Sequence, residues 1–326
     1  MVRASTVGQP AELEQLARAQ FGVLSDAEIK LLRAAHEGKM AVCGTSQGRD
    51  DPGNHPGSAA EWGLERQIRA ELIRWLCVDQ EAKTYLDPKG ISVAAAKIVG
   101  ELDLSFVTVP IPLRIFNCCL TDDAHLNSAQ LMTLNLTGSW VQSIEADTAS
   151  VQGHVFLRDG FRAEGRVWLL GAQIQGQLDC SNGTFTNPPR TGCASSGVAL
   201  SAESSRIGGG IFLGDGFRAE GEVRLLNARI ERDLDCRNGA FINPWQEDLP
   251  QSGRALSADK VNVQDSIFLR YGFRAEGEVS LAGAQIGGSL SCPNATFTNP
   301  AHALNLSGRW LRIWTHLRTD GLPKQN

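Results

Sequence analysis

The chain has 326 residues, of which 42% are hydrophobic and 21% charged, and carries a formal net charge of -5. Its length permits a large buried core, and its mildly acidic balance excludes a broad nucleic-acid surface, which needs a basic face. There is no apolar run of about 18 residues and no basic start followed by an apolar core, so the expectation is a soluble cytoplasmic protein without a transmembrane segment, with peripheral membrane association left open.

Residues 1–90 read as a helical unit. Ser25-Asp-Ala-Glu28 and Ser58-Ala-Ala-Glu61 both have the form of a capping box, in which a hydroxyl and a glutamate three residues on satisfy the free amides of a helix start. The second predicts a helix with the stripe Leu64, Ile68, Leu72, Trp75 and Leu76, flanked by Glu65, Arg66, Arg69, Glu71 and Arg74. Between these helices, Cys43 to Ala60 is rich in Gly, Pro, Asp and Ser and reads as a long surface loop.

From Ile91 the period changes from helical to two. Ile91, Val93, Ala96, Ile98, Leu102 and Leu104 are followed by Leu113, Ile115, Cys118, Leu120, Ala124 and Leu126 on the same template. Between Leu131 and Val141 the spacing breaks, and a shorter, irregular coil is expected there. A unit of 56 residues then recurs three times, marked by GFRAEG from Gly160, Gly216 and Gly272. Inside it, apolar columns recur at intervals of 23 and 33 residues: Val151, Ile174, Ile207, Ile230, Val263, Ile286; Val155, Leu178, Ile211, Leu234, Ile267, Leu290; and Leu157, Cys180, Leu213, Cys236, Leu269, Cys292. Phe161, Phe185, Phe217, Phe241, Phe273 and Phe297 form a further column.

Equivalent side chains every 20 or so residues, with period-2 runs between them, specify an all-β solenoid: a parallel β-helix of about nine coils over residues 91–326, capped by the helices of residues 1–90. At a parallel-strand spacing of about 4.8 Å it is a rod on the order of 40 Å long. The longer interval comes from roughly ten extra residues after Asn187-Pro188 and Asn243-Pro244, because proline ends a strand and the chain leaves the stack there. After Asn299-Pro300 that insertion is missing, and Leu304, Leu306, Leu311 and Leu317 make a degenerate last coil.

Motifs of catalysis are missing. The six histidines share no spacing, and there is no HExxH, CxxC, P-loop or GxGxxG. No cofactor or metal is therefore expected. Cys180, Cys236 and Cys292 lie two coils apart, too far for disulfides, and read as core filler. Cys193, on an inserted loop, is the thiol expected to be exposed, and Asp122, Asp123 and His125 form a small polar cluster near a turn.

The repeated surface residues are the candidates for contact with a protein partner. Arg162 with Glu164, Arg218 with Glu220, and Arg274 with Glu276 lie two apart on extended segments, so each pair faces one way and reads as a local ion pair. Phe156, Phe212 and Phe268 fall between inward positions and point outward, with Asp179, Asp235 and Ser291 as their one-coil counterparts. The inserted loops, with Trp245, either cover this stripe or present Trp245 as an anchor. Trp310, Ile313 and Trp314 either fold under the C-terminal end or pack against the same end of another chain, making a homodimer.

The runs LLGAQIQGQLDC, LLNARIERDLDC and LAGAQIGGSLSC, with the GFRAEG segments and ERQIRAELIRWLC, resemble an uncharacterised bacterial family of repeat proteins similar to pentapeptide-repeat proteins. That resemblance implies a right-handed quadrilateral β-helix. Some chains of this kind are labelled membrane-associated oxidoreductases, yet no nicotinamide, flavin or haem site is recognisable here. The expected function is a non-catalytic scaffold or protein-interaction module. The alternatives are an oxidoreductase, as that label implies, or a β-helical polysaccharide-acting enzyme using Asp179 and Asp235.

Overall fold

The computed structural model describes residues 10–45, 51–299, 304–306 and 313–314. Helices α1 (Pro10–Phe21) and α2 (Asp26–Glu37), strands β1 (Ala41–Val42) and β2 (Gln67–Arg69), and helix α3 (Ala70–Val78) precede the first coil. That coil consists of β3 (Ile91–Ala94), β4 (Lys97–Val99), β5 (Leu102–Asp103) and β6 (Thr108–Val109). The next seven coils repeat these four short strands, and the ninth shows three of them among the described residues, so the protein is a four-sided parallel β-helix. Among the described residues its faces are sheets of eleven, ten, nine and eight strands. We number the faces one to four after β3, β4, β5 and β6.

On face one Ile91, Leu113, Leu134, Val155, Leu178, Ile211, Leu234, Ile267, Leu290 and Ile313 lie in register. Ten rungs bound nine coils, as the columns predicted. The coil from Leu134 is short but regular, which corrects the expected break. Leu134, Leu136, Val141, Ile144, Ala146 and Val151 are all buried, and so is Ser139. A serine sits inside because it is bonded there: Ser139 Oγ donates to Ile115 O at 2.9 Å and accepts from Cys118 N at 3.1 Å. The polar residue hid the coil from a hydrophobic pattern.

The phenylalanines form two columns rather than one. Pairing of Val141 with Ala163, Ala163 with Phe185, Phe185 with Ala219 and Ala219 with Phe241 places Phe185 and Phe241 in one inward column of face two. Phe161, Phe217 and Phe273 occupy the neighbouring column, where the intervening coils carry Gly183 and Gly239. From Phe161 onward each coil thus holds one ring and one small residue, and the ring changes sides at every step. Two rings in one column would be a rung apart at about 4.8 Å and would meet face to face, whereas the zigzag tilts them by 39–48° with centroids 5.2–5.5 Å apart. The F-x-A of GFRAEG and the G-x-F of the next coil are the two halves of this arrangement.

The N-terminal end is closed by chemistry that the sequence only half revealed. Ser25 and Glu28 do form a capping box on α2. Ser58 and Glu61 do not: residues 56–58 and 64–66 are single 3-10 turns, and α3 begins only at Ala70. The intervening Ile68 instead enters the core through β2, which pairs with β4. Burying Ile68 in line with Ile98 wins over extending the helix, and Leu64, expected on the buried stripe, is 75% exposed. As the first strand of face two, β2 has an unpaired edge, and the cap of α2 satisfies it. Ser25 Oγ donates to Gln67 O at 2.5 Å, and Arg69 N donates to Glu28 Oε1 at 3.1 Å. The Arg69 guanidinium adds bonds of 2.7 and 2.8 Å to the same carboxylate. Burial alone would raise the Glu28 pKa, but Arg69 and the Ser25 and Arg69 amides together hold it below its ordinary value.

Ile313 and Trp314 pair in register with Leu290 and Ser291 on face one. Their side chains, and Trp310, Leu311 and Leu317, lie outside the described residues.

Candidate interaction surface

The outward positions of face one alternate aromatic and acid: Asn135, Phe156, Asp179, Phe212, Asp235, Phe268 and Ser291 pair in sequence, and Trp314 follows in register. The three phenylalanines are half-buried. Two of them lie beneath arginines: the Arg158 guanidinium is 4.6 Å from the Phe156 ring centroid, and Arg270 is 4.2 Å from that of Phe268. The faces of these rings attract the cations that cover them, and Arg158 Nε also lies 3.4 Å from the Asp159 carboxylate. Asp179 and Asp235, only 5% and 6% exposed, fill the rungs between rings. Each takes the backbone N–H two residues on, from Ser181 and Arg237, both at 3.0 Å. Each is also ion-paired, Asp179 with Arg158 at 2.8 Å and Asp235 with Arg237. Each opens the turn that follows its strand, and the Phe212 rung separates the two.

On face two the repeated pairs form as the spacing predicted. Arg162, Arg218 and Arg274 meet Glu164, Glu220 and Glu276 at 3.1, 2.8 and 2.6 Å. Arg162 also stacks over Trp140 at 4.9 Å. These are partly exposed pairs and contribute roughly 0–1 kcal/mol each to stability.

The inserted loops, residues 188–197 and 244–253, leave at the corner between faces two and three, and therefore do not cover the phenylalanines of face one. Both are tied at the neck in the same way. Asn187 Nδ2 donates to Ser195 O and Val198 O at 2.9 and 2.8 Å; Asn243 Nδ2 donates to Gln251 O and Arg254 O at 3.1 and 2.7 Å. Ser196 and Ser252 bridge the interiors by accepting from Arg190 N and Gln246 N. The pattern Asn-Pro followed by Ser-Gly would have revealed this latch in the sequence. The last glycine of GFRAEG passes under the neck: at Gly221 and Gly277, with φ of +122° and +129°, an added Cβ would lie 2.7 and 2.6 Å from the carbonyl oxygens of Asn187 and Asn243. The loops also touch each other, since a Cβ on Gly197 would fall 2.7 Å from Gln251 Cβ. They form a continuous ledge, from which Trp245 stands 65% exposed.

Below the first loop the preceding coils carry no insertion, which leaves a recess of about 340 Å³ between the loop and face three. Arg190, Cys193 and Ser195 line it from the loop, and Asp123, Glu145 and Arg166 from the coils. The expected Asp122, Asp123 and His125 cluster is dispersed. Asp122 accepts from Thr121 and the Gly100 amide, Asp123 accepts from Ser143, and His125 meets Glu145 at 3.3 Å. The Arg166 guanidinium bonded to Glu145, aided by His125, holds that carboxyl below its usual range. Cys193 is the one thiol whose pKa is lowered, chiefly by the Ser195 hydroxyl, whereas burial pushes up those of Cys43, Cys77, Cys118, Cys119, Cys180, Cys236 and Cys292. Among the described residues no group of three or more His, Cys, Asp or Glu is placed to hold a metal, and no helix is long and apolar enough to cross a membrane.

Comparison with known proteins gave no matching family model, no matching curated protein and no matching solved structure.

Proposed function

We propose that this chain is a non-catalytic scaffold that binds a protein partner along the ledge formed by its two inserted loops. The observation that carries this reading is Trp245, a large aromatic left 65% exposed on a loop whose conformation is set by the buried Asn243 and Ser252. An exposed tryptophan on a loop already held in place binds with little ordering cost, and aromatic anchors of this kind dominate interface energies. The Arg218–Glu220 and Arg274–Glu276 pairs on the adjoining face supply a polar rim. Phe156 and Phe268 are engaged by Arg158 and Arg270, which are the side chains a partner on face one would meet there.

The test is site-specific photo-crosslinking in cells expressing the full chain, with the photoreactive residue at Trp245 or, as a control on face four, at Gln173. A discrete adduct from Trp245 alone, followed by at least a tenfold loss of affinity for the identified partner in Trp245→Ala, is the expected result. Equal adducts from both positions, or affinity unchanged in Trp245→Ala, would refute the ledge.

A further inference from the structure

At the other end of the molecule, where the cap meets the first coil, lies a cavity of about 170 Å³. Leu76 and Cys77 of α3 form one wall, Leu86 and Pro88 a second, and the Pro110–Ile111 turn a third. Cys77 is 1% exposed and behaves as a small hydrophobe. The single charged residue of the lining is Lys83. Its ammonium is close enough to be felt by the Cys77 thiol: burial pushes that thiol up to about 12, and Lys83 is foremost among the charges opposing the rise. Among the described residues no carboxylate pairs with Lys83, whereas Lys39 is matched by Glu37 at 2.8 Å.

An apolar chamber of this size does not hold water well, because a water there finds too few polar partners, yet it accommodates a small apolar body. A lone cation on its lining selects the charge of whatever enters. We propose that this junction cavity binds a short-chain monocarboxylate, with its tail among Leu76, Leu86 and Ile111 and its carboxylate on the Lys83 ammonium. Such a ligand touches the cap and the first coil together. It binds only when the two are docked and so stabilises the closed N-terminal end by mass action. The proposal is independent of the loop ledge and stands or falls separately from it.

Hexanoate is the probe, with hexanol and hexylamine as controls of matched size, titrated calorimetrically into the full chain and its Lys83→Met, Lys83→Arg and Cys77→Leu variants. Circular dichroism melts confirm that each variant is folded. The expected result is one saturable hexanoate site, at least tenfold tighter than hexanol and tighter still relative to hexylamine. Lys83→Met should bring hexanoate down to the level of hexanol, and Lys83→Arg should keep most of the preference. Equal binding of hexanoate and hexanol would overturn the proposal by showing a plain hydrophobic crevice. So would unchanged affinity in Lys83→Met, or no saturable binding at all, which would mark the cavity as a packing gap. Undiminished binding by a folded Cys77→Leu protein, whose larger side chain fills the chamber, would place the acid elsewhere.

Discussion

Moving one benzene ring by two residues tests the zigzag core of face two. Phe217 is 1% exposed, and its ring centroid lies 5.3 Å from that of Phe185 and 5.2 Å from that of Phe241. Truncation by Phe217→Ala removes a fully buried ring and leaves a void beside Gly183 and Gly239, which have no side chains to fill it; the cost is about 3–5 kcal/mol. The double variant Phe217→Ala, Ala219→Phe restores composition and total volume within the same coil. If the rings shared one column, it would recover most of the loss. In the structure Ala219 sits between Phe185 and Phe241 in the other column. The transplanted ring therefore has no room there, and overpacking of roughly 1–3 kcal/mol adds to the void that remains. Urea unfolding followed by circular dichroism should place the double variant no higher than Phe217→Ala. A double variant within about 1 kcal/mol of the wild type would refute the two-column packing.

Three further outcomes follow from the cap, the loops and the thiols. Glu28→Gln removes the charge that joins the α2 cap to the edge of β2 and should cost roughly 2–3 kcal/mol. Because folding lowers the Glu28 pKa, its stabilisation is fully present above the ordinary carboxyl value and is lost as pH falls through the lower folded value. The wild type should therefore lose stability below about pH 4.5 more steeply than Glu28→Gln, and parallel acid profiles would count against the coupling. Asn243→Ala leaves the Gln251 and Arg254 carbonyls without the donor that holds them; hydrogen exchange in residues 244–253 should quicken, at a cost of roughly 2–3 kcal/mol, while the first loop keeps its protection. In the native protein iodoacetamide should label Cys193 first and Cys119 slowly, with the Cys193 rate rising at a pH below that of an ordinary thiol. Labelling of Cys180 or Cys236 at a comparable rate would contradict their burial in the core.

Much of this fold was written in one dimension, because a solenoid repeats the same environment at each rung. Aliphatic residues at fixed intervals such as Val155, Leu178 and Ile211 have one physical solution, stacking in register, and Asn-Pro marks where the chain leaves the stack. The ion pairs of Arg162, Arg218 and Arg274 were legible for the same reason, since two residues apart on a strand means the same side. What the sequence could not decide is how neighbouring rungs share space. A spacing of 24 does not say whether Phe161 and Phe185 stand in one column or two; the tilt and bulk of the rings decide that. Nor does a pattern show that Ile68 leaves a helical stripe to join face two, because the competing gain is burial against Ile98, thirty residues away. The same holds for the surface. Outward-facing Phe156 and Phe268 were correctly placed, but only the three-dimensional stack brings Arg158 and Arg270 over their rings, and only corner geometry sends the loops, with Trp245, away from them. Period and polarity determined which residues point inward; steric competition and electrostatic pairing between coils, which depend on distances the linear sequence does not contain, decided what remains available to a partner.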